Sequence, residues 1–240
     1  MTGTLFLVGV GPGDPELLTL KAARTIGAAP VVAFPRTESG ATMALDIARA
    51  HVSAEAKLEP VGIDMTARTE AGGFASKEAA YSGAAATLAD HLAAGRDVAF
   101  LCEGDPLFYG SAIYLGAELR DRFDVRVVPG ITSMLAGAAA VPLPLVARDD
   151  SLTVLTGTAD DAVLEPRLAA PGAVAVLKVG RHFDRLAALF ERTGRAPRTH
   201  LLERIGAPDQ RIVPLRAAGA GAKPYFSLLL CPAGAEPWQP

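Results

Sequence analysis

The chain has 240 residues, of which 50% are hydrophobic and 20% are charged, and its formal net charge is −3. This composition can supply a buried core and argues against a disordered chain, while the small net charge argues against a general polyanion binder. Two cysteines are too few for a disulfide framework or a cysteine-based metal site, and no apolar run approaches the roughly 20 residues of a membrane-spanning helix.

The first half of the chain alternates short apolar runs with helical segments. The predicted strands are residues 5–8, 31–34, 57–62, 97–101 and 125–128, and the predicted helices are residues 15–28, 42–51, 77–94 and 111–122. Continuous apolar strands separated by helices are typical of a parallel sheet that is covered on both faces. The polar, Gly-rich stretch at 66–73 has no clear periodicity, so we predict a mobile loop there.

Two prolines within Val141-Pro-Leu-Pro-Leu145 interrupt this pattern, which then starts again. The predicted strands are now residues 152–156, 173–177, 200–202, 211–215 and 225–230, and the predicted helices are residues 162–169 and 183–192. The last two strands are joined by an Ala/Gly-rich loop without a helix, which predicts an antiparallel hairpin and hence a mixed sheet. We therefore predict two α/β domains, 1–145 and 146–240.

A Gly-rich turn, Gly9-Val-Gly-Pro-Gly-Asp-Pro15 (the first motif), joins the first predicted strand to the first helix. A dinucleotide-binding loop would require G-x-G-x-x-G, but here the third glycine is Gly13 and Asp14 follows it. Pro12 also removes a backbone donor that a pyrophosphate would use. These departures argue against a nicotinamide oxidoreductase, and a tight turn that lets the helix pack close to the sheet remains the structural alternative.

Two further motifs follow the fourth and fifth predicted strands. The second motif is Cys102-Glu-Gly-Asp-Pro-Leu-Phe-Tyr-Gly110, and the third is Val128-Pro-Gly-Ile-Thr-Ser133. Because parallel sheets bind ligands at the carboxyl ends of their strands, Asp105, Thr132 and Ser133 are candidate ligand contacts. The structural alternative is that these side chains only cap the helices that follow.

Together and in this order, the three motifs resemble the signatures of the tetrapyrrole methylases, and the resemblance runs over nearly the whole chain. It implies a two-domain α/β fold with a mainly parallel sheet in the N-terminal domain and a mixed sheet in the C-terminal domain. It also implies S-adenosyl-L-methionine as cofactor, held in the cleft between the domains, a small-molecule tetrapyrrole as substrate, and a homodimer. Segments 176–182, 210–214 and 224–229 are most similar to the branch that methylates precorrin-2 at carbon 20, giving precorrin-3A in cobalamin biosynthesis.

The resemblance implies roles for individual residues. Loop 103–108 would hold the methionine and ribose portions of the cofactor, the third motif its methionine end, and two residues of the second domain its adenine. The implied cofactor contacts are Pro12, Glu103, Gly104, Asp105, Phe108, Thr132, Ser133, Val179 and Ile205. The first motif would face the tetrapyrrole, which makes Gly11, Gly13 and Asp14 candidate substrate contacts.

The acetate and propionate groups of such a substrate would require cationic partners. The arginines at predicted strand ends or loops are Arg36, Arg68, Arg148 and Arg204, of which we assign Arg36 to the substrate; a solvated surface is the alternative for each. Methyl transfer from a sulfonium depends mainly on in-line positioning. The candidates for a base that removes the final proton are Asp14, Glu103, Tyr109 and His182, and the sequence does not select among them.

Other functions remain open at this point. The alternatives are methylation of another tetrapyrrole position, cobalt-precorrin-2 as the substrate, and a module that binds S-adenosyl-L-methionine without catalysis. No group of His, Cys and carboxylate residues is spaced as metal ligands are, so we expect no protein-bound metal. Residues 1–4 carry no basic segment typical of a secretory signal, so we expect a cytoplasmic protein that binds neither nucleic acid nor membrane.

Overall fold

The computed structural model describes residues 1–36, 42–62, 75–141 and 143–234, with the backbone alone for residues 75–80. The predicted loop 66–73, and Arg68 within it, lie outside the described residues. The chain divides into two compact units, Met1–Thr132 and Ser133–Pro240. Each unit is built around its own five-stranded sheet.

The first unit contains a parallel sheet. Its strands are β1 (Thr4–Gly9), β2 (Val31–Arg36), β3 (Lys57–Gly62), β4 (Val98–Cys102) and β5 (Asp124–Val128). Its helices are α1 (Leu20–Ala28), α2 (Met43–Ala48), α3 (Ala75–Ala93) and α4 (Ala112–Leu119). The strand order is β3-β2-β4-β1-β5, with parallel pairing throughout the described chain, so the predicted parallel sheet is confirmed.

Both faces of this sheet are covered, because successive strand side chains point to opposite sides. On one face, Leu7 of β1 packs in a core with Leu88 of α3 and Leu115 of α4. On the other face, Val8 packs in a second core with Ile26 of α1 and residues of α2. Two buried cores on one sheet are the reason that the central strand β4, VAFLC, is apolar at every position, whereas the edge strands β3 and β5 carry exposed polar residues.

The predicted helix at 15–28 is two elements. A 3₁₀ turn spans Pro15–Leu17, and α1 begins only at Leu20. The side chain of Thr19 accepts a hydrogen bond from the backbone N–H of Ala22 at 3.1 Å, which is the geometry of a helix N-cap. Because leucines flank Thr19 on both sides, residues 17–20 resemble the interior of a helix, and the sequence pattern did not identify Thr19 as an N-cap.

The second unit contains a mixed sheet. Its strands are β6 (Leu152–Thr156), β7 (Ala173–Leu177), β8 (His200–Glu203), β9 (Arg211–Pro214) and β10 (Ser227–Cys231), and its helices are α5 (Ser133–Ala140), α6 (Asp161–Ala169) and α7 (Phe183–Arg192). The strand order is β6-β7-β10-β8-β9. β6 and β7 are parallel, and β10 is antiparallel to both of its neighbours.

The mixed sheet was predicted correctly, but the predicted hairpin between the last two strands is wrong. β9 pairs with β8 rather than with β10, and β10 enters the sheet between β7 and β8. The five residues of β10, SLLLC, are all buried. A strand that is apolar on both faces buries more apolar surface at the centre of a sheet than at its edge. At the centre β10 pairs with a strand on each side, which a hairpin with β9 alone would not provide.

The division between the units falls after Thr132, whereas the sequence analysis expected it at residue 145. The reason is α5, a helix of small residues that packs on the second sheet. A Cβ placed on Gly137 of α5 would lie 2.5 Å from Cδ2 of Leu202 in β8, which shows how closely the two elements approach. Met134 and Ala138 of α5 pack in the same core as Leu202 and Leu230.

A buried arginine holds the end of α6 to the rest of the second unit. Arg195 is only 3% exposed, and its guanidinium donates hydrogen bonds to the carbonyl oxygens of Leu168, Ala170 and Gly172. These carbonyls lie at the carboxyl end of the helix, where the backbone lacks internal donors and cations are favoured. Within the described ranges, none of the helices is both long enough and apolar enough to span a bilayer.

Candidate functional site

The three motifs lie at one edge of the first sheet. β4, β1 and β5 are neighbours and run in the same direction, so the loops that follow them leave from the same edge. These loops carry residues of the second, first and third motif, respectively. Carboxyl ends of adjacent parallel strands are where open α/β sheets bind ligands, so the sheet places all three motifs in the position that the sequence analysis expected.

Three glycines, one from each motif, are in direct backbone contact. A Cβ on Gly130 would lie 2.1 Å from the carbonyl oxygen of Gly104 and 2.8 Å from Cα of Gly9. A Cβ on Gly9 would lie 2.6 Å from the same Gly104 oxygen. Because every one of these neighbours is backbone, no side-chain rotation can make room, and glycine is required at positions 9 and 130.

Hydrogen bonds join the first and second motifs across the same junction. The N–H of Gly104 donates to the Gly11 carbonyl at 2.8 Å, and the N–H of Gly11 donates back to the Gly104 carbonyl at 3.3 Å. Both residues have positive φ, 81° at Gly11 and 67° at Gly104, a conformation that glycine adopts without steric cost. A Cβ on Gly104 would meet nothing closer than 4.0 Å, so open space lies on that side of the loop.

Asp105 connects the second motif to the third. Its Oδ2 accepts a hydrogen bond from the N–H of Gly130 at 3.1 Å, and its Oδ1 accepts one from the N–H of Leu107 at 2.9 Å. The next helix, α4, begins only at Ala112, so the capping alternative does not apply to this residue. Asp105 therefore fixes the spacing of the two loops, and each of its oxygens keeps a lone pair for a further donor.

Two titratable groups at this edge have pKa values raised by burial. Burial raises the pKa of the Glu103 carboxyl above its ordinary value of 4.5, although the backbone N–H groups of Glu103 and Ala44 donate to it and oppose the shift. Burial also raises the pKa of the Cys102 thiol, and the charges of Glu103 and Asp105 add to this effect. Cys102 is consequently a neutral thiol, a poor nucleophile and a poor metal ligand.

The hydroxyl of Thr132 in the third motif is buried, and no group in the described part of the chain hydrogen-bonds to its Oγ1. This hydroxyl therefore does not cap α5, the helix that begins at the next residue. Buried hydroxyls without a partner are costly, and a native structure tolerates few of them. An orphaned hydroxyl beside the glycine junction is the arrangement expected where a polar ligand supplies the missing partner.

In the second unit, the two predicted adenine contacts follow strands that are separated by one strand, β10. Val179 comes after β7 and Ile205 after β8, and these strands run in the same direction on either side of β10. Both side chains are buried, but in cores on opposite faces of the sheet. A ligand at this edge would therefore contact them through backbone atoms. The residues before them, Lys178 and Arg204, have φ of 56° and 48°, values that are uncommon outside glycine.

A family model for tetrapyrrole (corrin/porphyrin) methylases matches residues 4–220 of the chain. The chain belongs to this family. The family predicted from the three motifs is thereby confirmed.

Individual relatives agree with this assignment. The chain is 42% identical over 237 residues to the cobalamin biosynthesis protein CobIJ of Mycobacterium tuberculosis, and the match covers 97% of this chain but 46% of CobIJ. The chain thus spans about half the length of that relative. It is 38% identical over 233 residues to the precorrin-2 C(20)-methyltransferase of a Sinorhizobium species, with 96% of this chain and 95% of that protein covered.

Among solved structures, the uroporphyrin-III C-methyl transferase of Thermus thermophilus, complexed with S-adenosylhomocysteine, superimposes on this chain with a TM-score of 0.69. The two chains are 29% identical, and the superposition covers 95% of this chain and 96% of the other. The α/β fold of two domains that the resemblance implied is therefore confirmed.

The residues of the first motif are less accessible than a substrate-binding role would suggest. Gly11, Pro12 and Gly13 are buried, whereas Asp14 is half-buried. Oδ1 of Asp14 accepts the N–H of Glu16 at 2.9 Å and so caps the 3₁₀ turn that follows. Asp14 thus has a structural function in addition to its position at the ligand-binding edge.

The other predicted residues are distributed around the same edges. Arg36 is exposed and is the last residue of β2, which neighbours β4, while Phe108 is half-buried and lies edge-on to the Tyr109 ring at 5.0 Å between centroids. Arg204 forms an ion pair with Asp209 at 2.7 Å. The exposed Arg148 lies in the second unit, apart in the chain from any predicted ligand loop.

The candidate bases differ in their electrostatic surroundings. The pKa of His182 is lowered by burial, and the positive charges of Arg181 and Arg185 add to this shift, so its imidazole is neutral at pH 7. Glu103, in contrast, has a raised pKa. Tyr109 is exposed at the second motif, and its φ is 57°. Over the residues that the structure describes, no three His, Cys, Asp or Glu side chains group as metal ligands do.

The sequence analysis missed two groups of residues. Gly9 and Gly130 were not selected, although they set the closest approach between the motifs; their position at strand ends inside the motifs was the available signal. Lys223 was also missed, although its ammonium donates to three backbone carbonyl groups. No sequence pattern around Lys223 predicts these contacts, because its partners are backbone carbonyl groups, which every residue carries.

Proposed function

We propose that the chain is an S-adenosyl-L-methionine-dependent C-methyltransferase that converts precorrin-2 to precorrin-3A by methylating carbon 20. The observation that carries the proposal is the near-complete match, over 95% of its length, to a precorrin-2 C(20)-methyltransferase. The convergence of three ligand-binding loops at the carboxyl edge of β4, β1 and β5 supports it. The proposal extends to this chain what the relative's name says of the relative.

The residues at the first sheet's edge fit the methionine and ribose portions of the cofactor. The orphaned Oγ1 of Thr132 has the chemistry to pair with an α-amino or carboxylate group. The open side of Gly104 lets a ligand approach the backbone of Glu103, Gly104 and Asp105 closely. We propose Pro12, Phe108 and Ser133 as further contacts at this edge, and Val179 and Ile205 as the adenine contacts.

When bound, S-adenosyl-L-methionine supplies an activated methyl group on a sulfonium. The reaction forms a C–C bond at carbon 20, breaks the sulfur–methyl bond, and releases S-adenosylhomocysteine and the proton of the methylated carbon. The task of the chain is therefore to hold the reacting atoms in line and to exclude misplaced substrate, which can contribute about 7–11 kcal/mol. A tight glycine junction between three loops supplies a rigid frame for this positioning.

The first motif and Arg36 are the proposed substrate contacts. Gly11 and Gly13 would let the tetrapyrrole approach the backbone, and the guanidinium of Arg36 would pair with one of its carboxylates. Asp14, Glu103, Tyr109 and His182 stay the candidates for the proton acceptor, and of these Glu103 has a carboxyl whose pKa is raised by burial.

The decisive experiment incubates the protein with precorrin-2 and S-adenosyl-L-methionine under anaerobic conditions. We expect one equivalent of S-adenosylhomocysteine, a substrate mass increased by one methylene unit, and ¹³C NMR of labelled product that places the new methyl on carbon 20. Methylation at another carbon, or only of cobalt-precorrin-2 in a parallel incubation, would contradict the proposed substrate. Tight binding of S-adenosylhomocysteine without turnover of any tetrapyrrole would identify a binding module instead.

We further propose that the active form is a homodimer in the cytoplasm, because the family resemblance implies a homodimer and the composition suits a cytoplasmic enzyme. Light scattering after size-exclusion chromatography measures the oligomeric state directly. Cell fractionation measures the location. A monomer that retains full activity would contradict the first part of this proposal.

A further inference from the structure

The Ala/Gly-rich loop of the second unit is ordered by one lysine. The three N–H donors of the Lys223 ammonium have three acceptors, the carbonyl oxygens of Ala218 at 3.1 Å, Gly219 at 2.9 Å and Ala220 at 3.4 Å. The ammonium also lies 4.2 Å from the centroid of the Phe183 ring, a cation–π distance. A loop of small residues has no side chains with which to hold itself, so this cation determines its shape.

The loop and the residues after it form a connection that we term the strap, residues 218–226. At Lys223 the strap is tied to the segment after β7, because the N–H of Lys223 donates to the Gly180 carbonyl at 3.0 Å. The last residue of the strap is tied to the segment after β8, because the Phe226 carbonyl accepts the N–H of Arg204 at 2.8 Å. The middle is tied to α7 by a hydrogen bond from the N–H of Gly221 to Oδ1 of Asp184 at 2.8 Å.

The strap therefore joins the two segments that contain Val179 and Ile205. Gly180 follows Val179, and Arg204 precedes Ile205. Both side chains are committed to separate cores, so the positions of their backbone atoms are the property that a ligand at this edge would sense. A displacement of the strap would move the two backbone segments relative to each other.

We propose that Lys223 is a positioning residue that holds the strap, and through it the two backbone segments that bind the adenine. This inference rests on the proposed function, because it takes Val179 and Ile205 as the adenine contacts. Lys223 acts without touching the ligand: its ammonium fixes the 218–220 turn, and the turn fixes the hydrogen bonds that lead to Gly180 and Arg204.

The test uses Lys223→Met, which keeps an unbranched apolar side chain, one atom shorter than that of lysine, but removes the three donors. We expect the Kd of S-adenosylhomocysteine, measured by calorimetry, to rise about tenfold, the effect of losing one well-placed interaction. The Kd of 5′-methylthioadenosine, which carries the adenine but not the amino acid, should rise by the same factor. The KM for S-adenosyl-L-methionine should rise in parallel, with kcat at saturation within about twofold of wild type.

Two controls separate positioning from folding. Lys21→Met removes an exposed lysine from α1 and should leave both Kd values unchanged. Thr132→Val, at the methionine end, should weaken S-adenosylhomocysteine but not 5′-methylthioadenosine. Where Lys223→Met does not fold, Asp184→Ala loosens the middle of the strap through Gly221 and should produce a smaller change of the same kind.

The outcomes are distinguishable. A folded Lys223→Met that melts at a lower temperature but binds both ligands as wild type does would overturn the inference, since Lys223 would then be purely structural. A change confined to S-adenosylhomocysteine would also overturn it, because the adenine end would not be involved. A wild-type protein that binds neither ligand would refute the proposed function itself.

Discussion

The glycine junction predicts that a single added methyl group at position 130 separates the three motifs. In Gly130→Ala the new Cβ would lie 2.1 Å from the Gly104 carbonyl oxygen, whereas such contacts are not shorter than 3.0 Å, so the loops must move apart by about 0.9 Å. The φ of Gly130 is not positive, so the effect is purely steric.

The magnitude follows from what the movement breaks. Overpacking of a rigid site costs about 1–3 kcal/mol, and each stretched hydrogen bond costs about 1 kcal/mol more. The bonds at risk are Gly11 N–H to Gly104 O at 3.3 Å and Gly130 N–H to Asp105 Oδ2 at 3.1 Å. We expect a loss of about 3 kcal/mol in the free energy of unfolding, and a Tm lower by roughly 6–12 °C for a chain of this size.

Scanning calorimetry and S-adenosylhomocysteine binding measure the effect, and Gly83→Ala is the matched control. Gly83 lies in α3 of the same unit, and a Cβ there would meet nothing within 4 Å. Gly83→Ala should therefore raise the free energy of unfolding by about 0.5–1 kcal/mol, because alanine has a higher helix propensity than glycine. If Gly130→Ala melts and binds ligand as the wild type does, the close approach of the three motifs is refuted.

Three further outcomes follow from other contacts. Arg195→Met leaves the carbonyls of Leu168, Ala170 and Gly172 without their donor, so the free energy of unfolding in urea should fall by about 3 kcal/mol. The control, Arg126→Met, removes an exposed arginine and should lower it by less than about 0.5 kcal/mol. Equal losses would contradict a stabilising role of the buried Arg195. Hydrogen bonds from Lys57 and, to a smaller extent, His91 hold the pKa of the Glu59 carboxyl below its ordinary value of 4.5. The ionised carboxylate therefore stabilises the folded protein fully above pH 4.5, and this contribution is lost as the pH falls through the lower pKa of the folded state. Wild type should accordingly lose more stability than Glu59→Gln between about pH 6 and about pH 3, and parallel pH curves would argue against this network. Thr132→Val removes an unpartnered buried hydroxyl, so without ligand the variant should be more stable than the wild type by about 1 kcal/mol. The rise in Tm on addition of S-adenosylhomocysteine should be smaller than in the wild type. A rise in Tm equal to that of the wild type would exclude Thr132 from the site.

The elements that the sequence predicts well are those whose environment is uniform. β4 is buried at all five positions, and residues 5–8 of β1 are apolar without interruption; runs of this kind can be recognised locally. The same holds for the site at a coarse level, because the rule that ligands bind at the carboxyl edge needs only the positions of strand ends.

Features that depend on distant partners could not be predicted. β10 pairs with β7 and β8 rather than with its neighbour in sequence, and nothing in SLLLC specifies which strands will flank it. Helix α5 consists mostly of small residues, so its membership of the second unit becomes visible only in its packing against Leu202. The contact between Gly9, Gly104 and Gly130 likewise joins residues that are far apart in the chain.

The central position of β10 has a consequence for biosynthesis. Once residue 128 has emerged from the ribosome, all five strands of the first sheet are available, so that sheet can close while the rest of the chain is still being translated. The second sheet instead has a gap between β7 and β8 until residue 231 emerges. Nascent chains arrested before that point would expose the unpaired edges of β7 and β8 and the apolar surface beside them. We therefore expect chaperones to bind the second unit for longer than the first during synthesis.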